Sequence, residues 1–415
     1  MVPSVAMGLQ YIRAARLIDG TGAASIADGA VLVDGQRIAE VGSAAAVPCP
    51  EGAERLDFGD LTLMPGLVDC HVHINNRGDG NPIEGSAPED DDLRVLQSAA
   101  NARIALEAGI TTLRECGAAR RTIFSVKEAL RRGIITGPRM SVAGRPVTIT
   151  GGHAWFWGGE ADGVDGVRRE VRQLCKDGAD WIKIMATGGG TPGTQPYRAS
   201  YSIEELTAAV EQAHDLNRLT GAHAGSIEGI QRAIAAGIDM LIHCSFYEAD
   251  GRFCFRPDIA REIADRGIWV NPTLHIRRVR VWRLERLAEE RQLTEDEATE
   301  LATQQRFYEE RSEYFRGLMQ AGVRQVAGSD SGYSYFRVGD FADEVEAMAS
   351  QGMGPAAALR AATLDAAESI GLDSDVGSLE VGKYADLLLT KGDPISDVTA
   401  LKRIGAVFLG GLRVR

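Results

Sequence analysis

The chain has 415 residues, 44% hydrophobic and 25% charged, with a formal net charge of -13 and six cysteines. That length exceeds one small core and suits a large α/β barrel with a satellite domain, while the negative charge argues against a nucleic-acid partner, which needs a basic surface. The cysteines at 49, 70, 116, 175, 244 and 254 form no C-x-x-C pair, the amino end lacks a basic and apolar leader, and no apolar run is long enough for a bilayer; the expectation is a cytoplasmic protein with no disulfide frame and no membrane partner.

The first sixty residues read as short strands, Tyr11 to Ile18 and Gly29 to Ile38, with Asp34-Gly35 as a hairpin signal. Next comes Met64-Pro65-Gly66-Leu67-Val68-Asp69-Cys70-His71-Val72-His73. A strand repeats every two residues, so His71 and His73 share one face and can bind one ion, while Cys70 and Val72 face away. Imidazole suits zinc and its neighbours. Alone, the pair is as easily two satisfied core histidines.

From there short apolar strands alternate with amphipathic helices, the pattern of βαβ units. Strands are expected to end near His73, Glu115, Ala143, Met185, His223, His243, Pro272 and Asp330, which predicts a (β/α)8 TIM barrel. Lys183 lies in an apolar strand running into Gly188-Gly189-Gly190. Burial lowers the pKa of an amine, and a neutral amine can take up carbon dioxide as a carbamate able to bridge two metals. Ser202-Ile203-Glu204-Glu205 is a capping box opening a helical run to Leu219, and Ile227, Ile230, Ile234 and Ile238 form a helical apolar stripe. His223, His243 and Asp330 each close a strand. Any one could be structural, but together at strand ends of one barrel they point to a metal.

Two excursions follow strand ends, the acidic loop 75–92 and the charged helical stretch 274–320, and either can wall the active-site face. The carboxyl end returns to turns and strands around Gly377 to Leu389 and Ala406 to Gly411. The two β-rich ends are each too small to bury a core, so residues 1–62 plus 368–415 are expected to form one composite β-sandwich around an inserted barrel, 63–367.

These motifs resemble the amidohydrolase superfamily of metal-dependent hydrolases, from Pro65-Gly66-Leu67-Val68-Asp69-Cys70-His71-Val72-His73 through Ala108-Gly109-Ile110-Thr111-Thr112-Leu113-Arg114-Glu115 to Gly377-Ser378-Leu379-Glu380-Val381-Gly382-Lys383-Tyr384-Ala385-Asp386-Leu387. Within it the chain is most similar to the imidazolonepropionase-related branch, with its prolidase-like dipeptidases and ochratoxin-cleaving amidases. The resemblance implies two divalent ions, with zinc first and manganese or cobalt as alternatives. His71, His73 and Asp330 would hold one, His223 and His243 the other, and N6-carboxylated Lys183 with a hydroxide would bridge them. It also implies Asp330 as general base and proton shuttle.

Thr150-Gly151-Gly152-His153 resembles the branch's G-G-H loop, which makes His153 a candidate donor to the substrate. Tyr247 could bond the tetrahedral oxygen or simply pack; Tyr197 is placed to cover the pocket. Arg198 could pair with a substrate carboxylate, although a solvated loop arginine is the commoner outcome, and His275 could line the site from the seventh strand. Arg114 is expected beneath the metals, and His214 has no assigned role. Relatives carry a histidine where this chain has Gly225, and an aspartate where it has Glu115. A mononuclear deaminase would need a glutamate soon after His223 and no bridging lysine, so that reading is rejected. What remains is hydrolysis of an amide C–N bond in a dipeptide or N-acyl amino acid. The alternatives are a non-peptide amide, phenylurea, carbamate or cyclic amide, then a scaffold without activity. The expected partners are a small-molecule substrate and further copies of the same chain.

Overall fold

Asp34 and Gly35 close the first hairpin as expected. Gly35 adopts φ 57°, the left-handed turn conformation open to glycine, and Ile26–Asp34 runs antiparallel to Arg37–Ser43 with Asp34 opposite Arg37. In the computed structural model, which describes residues 8–80 and 89–415, this hairpin is one edge of an eight-stranded sheet. The order continues through Gln10–Leu17 and Thr62–Pro65 to Leu387–Thr390, Ile404–Leu409 and Leu412–Arg413, and Glu54–Asp57 pairs beside Gln10–Leu17. Both chain ends therefore share hydrogen bonds. Their apolar faces bury Ile12, Val31, Leu63, Leu387 and Phe408 in one cluster, which neither end could do alone.

The middle of the chain is α/β. Leu67–Val72, Ile110–Glu115 and Arg139–Val142 form one parallel sheet, and Trp181–Met185, Leu219–Ser226, Met240–Tyr247 and Trp269–Asn271 form another. Isolated parallel bridges join Val147 to Ile184, Val270 to Gln325 and Val72 to Ser331. Seven of the eight expected strands are present; the segment ending at Asp330 pairs only through the last two bridges. The reason is local. A Cβ on Gly328 would come within 2.6 Å of Asn271 and 2.9 Å of His71, and Asp330 has φ 58°, so the backbone leaves regular extension where it meets its neighbours.

Helices cover the strands. Ile227, Ile230, Ile234 and Ile238 are all buried against Ile182, Ala222 and Leu241, as the stripe requires. Ser202 and Glu205 make both halves of the capping box. That helix ends at Asp215 rather than Leu219, because Asn217 turns left-handed at φ 55° and Leu219 already belongs to a strand. The charged stretch resolves into two helices packed together, His275–Glu290 and Glu295–Gln320, the second opened by a Thr294/Glu297 capping box. Of the acidic loop, residues 81–88 lie outside the described residues. Among the described residues no helix is long and apolar enough to cross a membrane.

Candidate metal centre and substrate cavity

Leu67–Val72 is buried along its whole length, so its polar side chains must find partners inside the protein. His71 does so through Nδ1, 2.9 Å from Asn271 Oδ1. The amide of Asn271 cannot turn over, because its Nδ2 donates to Val326 O and Gly328 O, both at 3.2 Å. Nδ1 of His71 is therefore the protonated nitrogen, and Nε2 carries the lone pair. His73 Nδ1 donates to Gly117 O at 3.0 Å with the same consequence. Asp69, buried between the strands, accepts Ser329 N–H at 2.9 Å, Ser329 Oγ–H at 2.6 Å and His71 N–H at 3.1 Å, which ties His71 to the segment carrying Asp330.

The three ligand atoms thus fixed lie on a nearly equilateral triangle. His71 Nε2, His73 Nε2 and Asp330 Oδ1 are each 3.3 Å from the other two. With both Nδ1 atoms engaged elsewhere, two imidazole nitrogens and a carboxylate oxygen converge on one point, a donor set suited to a cation. The centre of such a triangle is about 1.9 Å from each corner, a spacing that would suit the bonds of about 2.0–2.2 Å that these donors make to zinc. The donor set fits a divalent ion.

Charge states agree with that chemistry. Burial pushes His71, His223 and His243 well below the usual imidazole range, leaving the neutral form that ligates metals. Lys183 is 1% exposed, and burial lowers its ammonium pKa. Glu115, also buried, is pushed up to about 8 by desolvation, and one of its oxygens accepts Gly117 N–H at 2.8 Å.

His223 and His243 face the same space, their rings 4.7 Å apart, with His71 5.6 Å from His243. They are oriented differently. His243 Nδ1 bonds Thr273 Oγ1 at 2.7 Å, leaving Nε2 free, whereas His223 Nε2 donates to Gly188 O at 3.1 Å, leaving Nδ1. Arg311 holds Thr273 in turn, through both its Oγ1 at 2.7 Å and its carbonyl at 2.6 Å. His243, Thr273 and Asp330 all have positive φ, at 68°, 50° and 58°. For residues other than glycine this costs on the order of 1–3 kcal/mol each, strain of the kind that gathers at functional sites.

All six expected ligands line one cavity of about 400 Å³. His153 lines it too. Its Nδ1 lies 2.8 Å from Thr191 Oγ1, and burial pushes its pKa down to about 4. The glycine run makes the space: a Cβ on Gly189 would lie 2.6 Å from the His153 ring, and one on Gly190 would lie 2.3 Å from the Tyr333 hydroxyl. Tyr197 also lines the cavity, its ring 5.2 Å from that of Tyr247.

Three expectations change. Tyr247 lines the cavity, but its hydroxyl donates to Glu310 at 2.6 Å, so that proton is not directed at a substrate oxygen. Arg198 is exposed and outside the cavity lining, since its loop turns the side chain to solvent. His275 is also outside it: Nδ1 accepts from Arg278 at 2.9 Å and the ring packs on Phe336 and Trp282. Arg114 holds Cys70 O at 2.8 Å and lies over Trp181. Beside Gly225 a Cβ would meet Pro196 O at 3.3 Å, so a side chain there would press on the loop carrying Tyr197.

Asn271, Thr273, Asp69 and the arginines of the cavity wall were not singled out from sequence. Asp69 stands two residues before His71 and Asn271 ends a strand, a positional hint only. A larger depression, about 860 Å³, lies beside the Thr122–Arg131 helix, lined by Arg131, Arg139 and Tyr384 but by none of these ligands.

Comparison with known proteins follows the same lines. Residues 62–414 match the model of the Amidohydrolase family. Ochratoxinase of Aspergillus niger is 28% identical over 433 residues, covering 95% of this chain and 84% of that protein. A Xaa-Pro dipeptidase structure with bound methionine superposes with a TM-score of 0.85 at 27% identity, covering 98% of this chain and 100% of the other. A prolidase complexed with N-methylphosphonate-L-proline gives 0.83 at 26% identity, covering 98% and 99%.

Proposed function

The chain belongs to the amidohydrolase family, and on that premise we propose that it is a two-metal hydrolase cleaving the amide bond of an N-acyl amino acid or dipeptide. Hydrolysis of a carbon–nitrogen bond follows from the family and its relatives. The observation that carries the finer reading is the 3.3 Å triangle of His71, His73 and Asp330 atoms, opening on a cavity shared with Lys183, His223 and His243. Two similar structures hold methionine or N-methylphosphonate-L-proline, ligands built on amino acids, which favours an amino-acid amide over a urea.

His71, His73 and Asp330 would hold one ion and His223 with His243 the second, with carboxylated Lys183 between them; imidazole donors favour zinc. When bound, the ions supply a water of lowered pKa and polarise the scissile carbonyl. Asp330 carries the proton: Oδ1 belongs to the triangle, and Oδ2 takes the proton of the attacking water and passes it to the departing nitrogen. His153, tied at Nδ1 by Thr191, offers Nε2 to the substrate. The two parallel sheets and the bridges at Ile184, Gln325 and Ser331 support one eight-membered ring with these groups at one mouth, and the shared sheet of the chain ends supports the composite satellite domain. Six free cysteines favour a reducing compartment.

The test is metal analysis with a hydrolysis panel of dipeptides, N-acyl amino acids, phenylureas and carbamates. We expect about two ions per chain, cleavage of the amino-acid amides, and loss of activity in Lys183→Ala. Fewer than about one ion per chain after zinc or manganese supplementation, with Lys183→Ala fully active, would exclude the two-metal reading. Cleavage confined to phenylureas or carbamates would exclude the substrate class.

A further inference from the structure

The cavity wall built by the His275–Glu290 and Glu295–Gln320 helices is cationic in a protein whose net charge is -13. Arg277, Arg280 and Arg311 all line the cavity, and among the described residues the one acid in the lining is Asp330, already part of the ligand triangle. Two of the three guanidinium groups are engaged. Arg311 spends Nη1 on Thr273 and the Pro272 carbonyl, and Arg280 bonds Ser334 Oγ at 2.6 Å and lies 4.0 Å from Glu300.

Arg277 is different. Its side chain makes a 3.3 Å bond from Nη1 to Gln304 Oε1 and lies 5.1 Å over the face of Phe307, and among the described residues no carboxylate lies within ion-pair distance. Burial, with Arg311 and Arg280 as like charges, pushes its pKa down to about 10, so the cation is retained at neutral pH at an electrostatic cost. A half-buried cation facing a cavity, surrounded by like charge and lacking an anion, is stabilised by an anionic occupant. Gln304 and Phe307 steady the group from one edge and one face, which leaves the rest of the guanidinium fork to a planar anion such as a carboxylate.

We propose that Arg277 is the specificity-determining residue of the cavity, binding the free carboxylate of an N-acyl amino acid and thereby selecting acids over neutral amides, ureas and carbamates. This rests on the amide-hydrolase reading for the reaction, but the binding itself can be measured without turnover. Arg280 adds long-range attraction, and Arg311 serves the His243–Thr273 support instead.

Two measurements decide it on the metal-loaded enzyme. In the first, an N-acyl amino acid and its carboxamide are compared as substrates of the wild type, Arg277→Met and Arg277→Lys. The loss of a charge-assisted bond is expected to raise KM for the acid about 10- to 100-fold in Arg277→Met, with kcat and the carboxamide kinetics little changed and Arg277→Lys intermediate. In the second, calorimetry follows binding of 4-oxo-4-phenylbutanoate, an uncleavable analogue with CH2 in place of the amide NH, and of its carboxamide. The wild type is expected to prefer the acid and Arg277→Met to bind both alike. If Arg277→Met keeps the wild-type preference for the acid, or loses both ligands equally, the proposal is overturned. If the wild type cleaves no amide yet binds the acid through Arg277, the reaction assignment falls and the carboxylate site stands.

Discussion

Replacing Asn271 separates the orientation of a ligand from the stability of the fold. Asn271 is fully buried and makes three bonds: it accepts from His71 Nδ1 at 2.9 Å and donates to Val326 O and Gly328 O at 3.2 Å. Net contributions of about 0.5–1.5 kcal/mol per bond put the cost of Asn271→Ala at roughly 2–4 kcal/mol in the metal-free protein. It also releases the His71 ring, so Nε2 is no longer the obligatory lone pair of the triangle, and loss of such an outer partner weakens metal binding about 10- to 100-fold. Asn271→Asp supplies the contrast. Its carboxylate still accepts from His71 Nδ1 but cannot donate to the two carbonyls, so stability should fall while zinc affinity stays near wild type. Calorimetric unfolding of the chelated protein and zinc competition against a chromophoric chelator read the two effects. Wild-type zinc affinity in Asn271→Ala, or equal loss in both variants, would refute the orientation argument.

Gly189→Ala should push the His153 ring from its place, costing about 1–3 kcal/mol of fit and lowering kcat/KM; unchanged kinetics would show that the loop yields freely. Tyr247→Phe should cost about 0.5–1.5 kcal/mol of stability through the lost bond to Glu310 while kcat persists, and a collapse of kcat would return the hydroxyl to the chemistry. Arg198→Ala, at an exposed position outside the cavity, should leave kcat/KM within about two-fold in the same assay. Glu344 caps the His275–Glu290 helix through Leu274 N–H and His275 N–H, and burial pushes its pKa up to about 7. A buried acid with a raised pKa holds its proton longer when folded, so stability falls as pH rises from about 4.5 towards 7. Glu344→Gln should flatten that slope in pH-dependent melting curves, and an unaltered slope would assign it to other groups.

The alternation of short apolar strands and amphipathic helices, the Asp34-Gly35 turn and the Ser202/Glu205 capping box are local patterns, and they appear where periodicity placed them. The ligand candidates were legible for a related reason. His71 and His73 share a strand face, and His223, His243 and Asp330 each close an apolar run, so a barrel would present all of them at one end. Boundaries were less legible. The Asp330 segment fails to form a regular strand because Gly328 is pressed between Asn271 and His71, a contact between residues far apart in sequence.

His275, Arg198 and Tyr247 show the same limit at side-chain level. Position along the chain brings a residue near the mouth of the cavity, but its partner decides whether it faces the substrate. Arg278 takes His275, solvent takes Arg198, and Glu310 takes the Tyr247 proton. Residue types and their spacing thus indicated the α/β class and which strand-end histidines, lysine and aspartate were candidate ligands, since both depend on short-range periodicity. The hydrogen-bond partner of each imidazole, the 3.3 Å convergence of His71, His73 and Asp330 and the grouping of Arg277 with Arg280 and Arg311 were decided by tertiary structure, because each depends on groups that only folding brings into contact.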